Sequence, residues 1–382
     1  MMIRNLCCAL FALVLCASSQ GATDAQFYGS EDFYRVEKID MHVHLHSAGP
    51  KFMREARHDH FRLLSINVDY SDFPPLDQQQ RIAETLLKKY PATFAFAATF
   101  SVQNYDQPGW AEAVNRHIDE AVRHGAVAVK VWKNIGMELR SKDGKMVMID
   151  DPHFRPVFDH LAQIHIPLLG HQGEPKNCWL PVAEMSVKND VEYFTTHPQY
   201  HMYLHPELPS YEDQIRARDN MLLQHPDLQF VGLHLASLEW SVTELAGFLD
   251  RFPTAMVDMA ARIGQLQSQS IQNRELVRNF LIKYQDRIMY STDSEQDPDT
   301  PPSSATASKL PGQSESGAEL PFEVQTRQVW LRDWQYFTSA GLLSVPELDQ
   351  PVQGLKLPRN VIDKIYRLNA ERLFPKAWHA VH

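Results

Sequence analysis

Short apolar runs alternate along this chain with longer stretches in which apolar side chains recur every three or four residues. Eight runs read as strands: 36–44, 63–70, 93–100, 126–132, 166–171, 228–234, 255–259 and 287–291. Most lack an in–out alternation, which is the pattern of strands covered on both faces. Between them, 76–89, 111–124, 154–164, 211–224, 242–251 and 274–284 carry helical spacing. Ser210 with Asp213 predicts an N-terminal cap, and Gly125 sits where a C-terminal glycine belongs. Eight strand–helix alternations predict a (β/α)8 TIM barrel. A doubly wound open sheet is the alternative, but no G-x-G-x-x-G follows the first strand.

Two stretches exceed what a barrel needs: 175–224, rich in aromatics, and 294–320, rich in Ser, Pro, Asp and Gly. Both follow a strand, after the fifth and the eighth, on the face where barrels carry their active sites. A helix from Pro321 with Val329, Trp330 and Trp334, followed by 358–374, is expected to cover the outside or bottom of the barrel. The expected organisation is one barrel domain over 32–378 with a C-terminal helical extension.

Residues 1–19 read differently. Arg4 precedes a short apolar run, and Ala17, Ser18 and Ser19 follow it. That is the layout of a secretory signal peptide, too short for a membrane span. It implies a periplasmic or secreted protein. A lipoprotein with Cys16 lipidated is disfavoured because Leu15 precedes it. Three of the four cysteines lie in this segment, so the mature chain would keep only Cys178. Net charge is −10 with no basic stripe, and mean hydropathy is −0.36. Nucleic acid, anionic membrane surfaces and integral membrane association are therefore not expected. A small-molecule substrate is, and self-association stays open.

Chemistry concentrates at strand ends. His42 and His44, in Asp40-Met41-His42-Val43-His44, can project to one side of a strand. His171 ends the fifth strand, His234 the sixth and Asp293 the eighth. On a barrel these five residues stand at one mouth. Imidazoles plus a carboxylate, with a position left for water, suit Zn²⁺, or Mn²⁺ or Fe²⁺. Lys130 lies inside the fourth strand, and Trp132 ends it, where it could line a substrate pocket. Glu174 follows His171 and Arg262 follows the seventh strand; either could touch substrate, and Arg262 suits a carboxylate.

This set resembles the metal-dependent amidohydrolase superfamily. The ending Asn369-Ala370-Glu371-Arg372-Leu373-Phe374 is similar to the close of its amidohydrolase-related, aminocarboxymuconate-semialdehyde decarboxylase-like branch. The resemblance implies one or two divalent ions, with His42, His44, His171 and Asp293 as ligands. It implies that His234 is a ligand of a second ion or an acid/base. Lys130 stands where binuclear members carry a carboxylated bridging lysine; unmodified, it could hold a substrate anion. The reading that follows is an exported hydrolase in which metal-activated water attacks an ester, lactone or amide. Asp293 shuttles the proton, and the metal or His234 stabilises the oxyanion. The alternatives are a non-oxidative decarboxylase on the same ligands and, more distantly, a non-catalytic binding protein. Cys178 is expected to be structural, and no G-x-S-x-G turn supports a serine hydrolase.

Overall fold

The computed structural model describes residues 26–296 and 321–379. The proposed signal peptide and most of the eighth loop, 297–320, lie outside the described residues.

All eight expected strands form, each shorter than or offset from the run that predicted it. They are β1 (Lys38–Leu45), β2 (Phe61–Ile66), β3 (Phe94–Thr99), β4 (Ala126–Val131), β5 (Leu168–Gly170), β6 (Phe230–Gly232), β7 (Met256–Asp258) and β8 (Ile288–Met289). A short β9 (Ser294–Gln296) falls where a loop is expected. The sheet order is β8-β7-β6-β5-β4-β3-β2-β1-β9, and every pair in it is parallel. β9 is the upper continuation of β8. It pairs with β1 through Val43–Ser294 and Leu45–Gln296, while Met41 N donates to Tyr290 O (3.2 Å) below. The sheet therefore closes into a barrel.

One helix follows each strand: α1 (Lys51–His58), α2 (Leu76–Lys89), α3 (Trp110–Arg123), α4 (Arg155–Gln163), α5 (Tyr211–Gln224), α6 (Val242–Arg251), α7 (Ile263–Lys283) and α8 (Phe322–Thr338). Local signals act as read. Ser210 and Asp213 make a reciprocal capping box at α5, and Gly125 follows α3 with φ +103°. The expected helix 274–284 is the second half of α7, whose polar first half (Gln265, Gln267, Gln269) hides its periodicity; Asn273 kinks it.

Two apolar layers result. Ile39, Met41, Leu64, Ala97, Leu169 and Met289 fill the barrel interior, whereas Val43, Leu63, Phe96, Val129 and Val257 face the helices. The C-terminus splits between the two expected places. α8 lies outside, with Trp330 stacked on Phe61 at 4.0 Å. Ala370, Phe374 and Trp378 instead plug the floor, and Trp378 Nε1 donates to Leu63 O (3.0 Å). Much of the aromatic content of the fifth loop packs on itself: Trp179 and Tyr193 surround Cys178, Phe194 and Met202.

Among the described residues no helix is long and apolar enough to cross a membrane. If the floor plug holds the barrel together, Trp378→Ala destabilises the fold by about 3–5 kcal/mol, read as a fall in the urea midpoint. A change below about 1 kcal/mol would mean that the plug is dispensable.

Candidate metal centre

The centre begins with a slip in β1. Its pairing with β2 shifts register between Asp40 and Val43. Below the slip Ile39 and Met41 point inward; above it Val43 and Leu45 point outward, so His42 and His44 turn in. Asp40 therefore faces out of the barrel. It accepts from Trp330 Nε1 (3.0 Å), Thr292 N (3.0 Å) and Thr292 Oγ1 (2.7 Å), tying β1, the β8 end and α8 together.

Three rings are fixed at Nδ1. His42 Nδ1 lies 2.7 Å from Asp258 Oδ2, His44 Nδ1 2.7 Å from Ile66 O, and His234 Nδ1 2.9 Å from Ala260 O. A carbonyl oxygen only accepts. Asp258 also accepts from His234 N (2.5 Å), and above about pH 6, to which burial raises it, it is a carboxylate. In each neutral ring Nδ1 therefore carries the proton and Nε2 a lone pair. Burial holds His42, His171 and His234 neutral. It pushes His42 and His171 well below the usual histidine range and His234 down to about 3.

Asp293 Oδ1 then sits 3.2 Å from His42 Nε2 and 3.3 Å from His44 Nε2. Burial works against ionising Asp293, and positive charge beside it, on His42, His234 or His44 or on a bound cation, draws its carboxyl well below the usual range. With both rings neutral, two lone pairs and a carboxylate oxygen face one another. A cation resolves that repulsion. The three donor atoms lie within 4.8 Å of one another, and their outer nitrogens are held by acceptors as metal-binding imidazoles are. The residues fit a divalent metal.

The expected ligand quartet is only partly assembled. His42, His44 and Asp293 form one group, whereas His171 stands beyond His234, ring centroids 4.1 Å apart. His234 bridges back to His42 at 5.0 Å. Since His234 Nε2 is a lone pair, the ring suits a ligand or base and not a donor to an oxyanion. Lys130 is buried; burial lowers its amine to about 8, and Asp293 and Asp258 oppose that shift.

On the substrate side, Glu174 accepts from the Lys133 ammonium, so its charge is matched within the protein. Trp132 packs beside Tyr70 at 4.5 Å, under the rim. Arg262, by contrast, is 8% exposed, donates only to Ala261 O (3.1 Å) and has no carboxylate within salt-bridge distance among the described residues. Its charge acts on His171 and Glu239, and His171 Nε2 and Glu239 Oε2 are buried without hydrogen-bond partners among the described residues. Asp293 also borders a cavity of about 240 Å³ between α7 and α8. Cys178 donates to Tyr200 O (3.0 Å), and burial raises its thiol to about 12, consistent with a structural role.

Asp258, His46 and Glu239 escape sequence reading. Asp258 ends β7 as the other site residues end their strands, and that position was its signal. His46 extends the alternation of His42 and His44, and its Nδ1 pairs with Glu295 Oε1 at 3.1 Å. Glu239 gives no signal beyond being an acid after β6.

After β6 the chain enters an unusual turn. His234, Leu235, Ala236 and Ser237 all have φ of +55° to +56°. A left-handed turn costs L-residues about 1–2 kcal/mol each. Gly232 makes room for it: a Cβ there would fall 2.5 Å from Ala236 Cβ. Strain of this kind collects at functional sites when the surroundings over-determine it.

A family model described as Amidohydrolase matches residues 39–376. The chain belongs to this amidohydrolase family. It is accordingly an enzyme, with the metal-binding barrel that its own strands describe. Among solved structures, 2,6-dihydroxybenzoate decarboxylase from Rhizobium is 15% identical with a TM-score of 0.49, covering 89% of this chain and 98% of that one. 4-Oxalomesaconate hydratase from Rhodopseudomonas palustris is 10% identical with a TM-score of 0.47, covering 89% and 96%. Neither likeness is strong enough to carry an activity over. No curated protein matches in sequence.

The buried rings set a pH dependence for this amidohydrolase when metal-free. Below about 6.5 the unfolded chain binds a proton at His234, which the folded ring refuses until about pH 3. Stability therefore falls as pH drops through that window, by about 1.4 kcal/mol per unit for each such ring. Asp258, raised by burial to about 6, works the opposite way. Urea melts at several pH values should show a slope shallower by about one proton in His234→Gln; an unchanged slope would place the titration elsewhere.

Proposed function

We propose that this amidohydrolase is a metal-dependent hydrolase of an ester, lactone or amide in a small, carboxylated substrate. The observation that carries the reading is the convergence of His42 Nε2 and His44 Nε2 on Asp293 Oδ1, at 3.2 and 3.3 Å. A divalent cation, Zn²⁺ or otherwise Mn²⁺ or Fe²⁺, supplies Lewis acidity and brings the pKa of water to about 7. His42, His44 and Asp293 would hold it, with His171 and His234 beside them for a further ligand or a second ion.

Asp293 is placed to take the proton of the attacking water and pass it to the leaving group. It suits the task as the acid of the group and the one whose side chain is partly exposed, 27% against 0% for His42 and 7% for His44. His234, neutral with a free Nε2, serves as ligand or auxiliary base. Lys130 and Arg262 bind negative charge: Lys130 against the reacting group, Arg262 against a substrate carboxylate. Carboxylation of Lys130 would instead make it a bridge between two ions. The aromatics of the fifth loop carry less of the specificity, because many of them pack its own small core.

A non-oxidative decarboxylase on the same ligands is the second reading. A buried guanidinium with no carboxylate in salt-bridge distance among the described residues suits an acid substrate in either reaction. Export is part of the proposal and rests on the composition of residues 1–19.

Protein purified without chelator is expected to contain one or two metal ions and to open lactones or aryl esters with one oxygen taken from labelled water. CO₂ release from hydroxybenzoates without label uptake would overturn the hydrolase in favour of the lyase. His42→Ala is expected to keep the fold by circular dichroism, lose the metal and lose at least about a hundredfold in kcat/KM. Full activity in a metal-free His42→Ala protein would remove the centre from the reaction.

A further inference from the structure

The left-handed turn after β6 is held from several sides, and two of its carbonyls are held by one helix. Ala236 O accepts from Arg218 Nη1, and Ser237 O accepts from Tyr211 Oη at 2.5 Å. Tyr211 and Arg218 lie two turns apart on one face of α5. Arg218 is 2% exposed, a long cation in the core. Asp219 Oδ1 accepts from its Nε (3.0 Å) and Nη2 (2.7 Å), and the Phe248 ring lies 4.3 Å from the guanidinium carbon. Trp240 Nε1 donates to Tyr211 Oη (2.8 Å), fixing that hydroxyl in turn.

His234 is the first residue of the turn. Its backbone N donates to Asp258 and its Nδ1 to Ala260 O, so the direction of Nε2 depends on the backbone staying left-handed. None of the four turn residues is glycine, so local preference favours leaving that conformation. Without donors for the Ala236 and Ser237 carbonyls, the segment would relax toward right-handed or extended backbone. The Cα–Cβ bond of His234 would swing away from His42 and His171.

We propose that Arg218, with Tyr211, is a positioning residue for His234. The guanidinium locks a strained left-handed turn that places that imidazole. The proposal rests on the reading of His234 as a working residue of the centre, although the lock itself can be measured without any substrate.

The experiment is a double-mutant cycle between Arg218→Met, which keeps bulk and removes the donors, and Ala236→Gly, which makes positive φ inexpensive. Arg218→Met is expected to lower the melting temperature and to cut kcat about 10- to 100-fold while KM moves by less than about threefold. Ala236→Gly alone should change kcat by less than about twofold, yet in the Arg218→Met background it should restore both the melting temperature and most of kcat. That rescue is the signature of a conformational lock. Strictly additive effects would overturn the proposal, since an arginine that merely filled the core would gain nothing from a glycine in the turn. Should Arg218→Met fail to fold, Tyr211→Phe with the same glycine gives the smaller version, one hydrogen bond instead of the guanidinium. Melting of the metal-free protein reads the lock alone. A rescue there with no turnover of any ester or lactone would defeat the proposed reaction and leave the positioning role standing.

Discussion

The structure turns on an electrostatic constraint: three buried imidazoles, each committed at Nδ1 to an oxygen acceptor, have only lone pairs left to offer the barrel mouth. Asp258, the Ile66 carbonyl and the Ala260 carbonyl make that commitment. Asp293 adds negative charge to the same space. In water such a set would disperse. Here the rings are buried and anchored, so the repulsion is built into the fold, and a cation is the partner that removes it. The polar outer shell and the strained turn both serve to keep those lone pairs aimed.

That constraint accounts for features that otherwise look unrelated. Asp258 touches the centre twice, at the ring of His42 and at the backbone of His234, so one carboxylate sets the tautomer of one ligand and the location of a second residue. Asp40 does comparable work outside the barrel wall, binding Thr292 just before Asp293 and Trp330 on α8. The outermost helix is thereby tied to the strand that carries His42 and His44. Buried carboxylates are costly unless satisfied by donors, and both of these are.

Much of the barrel is legible in sequence because buried parallel strands make apolar runs and amphipathic helices separate them. The helices 76–89, 211–224 and 242–251 match in extent for that reason. What sequence misses is what local pattern does not encode. The polar start of α7 is buried by neighbours that lie far away in the chain. β9 looks like a loop because Ser294, Glu295 and Gln296 are polar, and only pairing with β1 makes it strand. The candidate metal ligands themselves stand out, being polar groups at the ends of apolar runs.

The sequence by itself determined the strand–helix alternation, the closed barrel it implies, and the presence of His42, His44, His171, His234 and Asp293 at one rim. It also carried the family resemblance that the match over residues 39–376 bears out. Tertiary structure decided the rest. The slip in β1 chose which way Asp40 and His42 face, because phase depends on the register of pairing and not on the strand alone. Contacts between distant segments assigned Glu174 to Lys133, left Arg262 without a carboxylate, and fixed the tautomers that give the centre its charge logic. The left-handed turn at His234 runs against local preference, so no reading of residues 234–237 could have found it. It exists because Arg218 and Tyr211, on a different helix, hold its carbonyls in place.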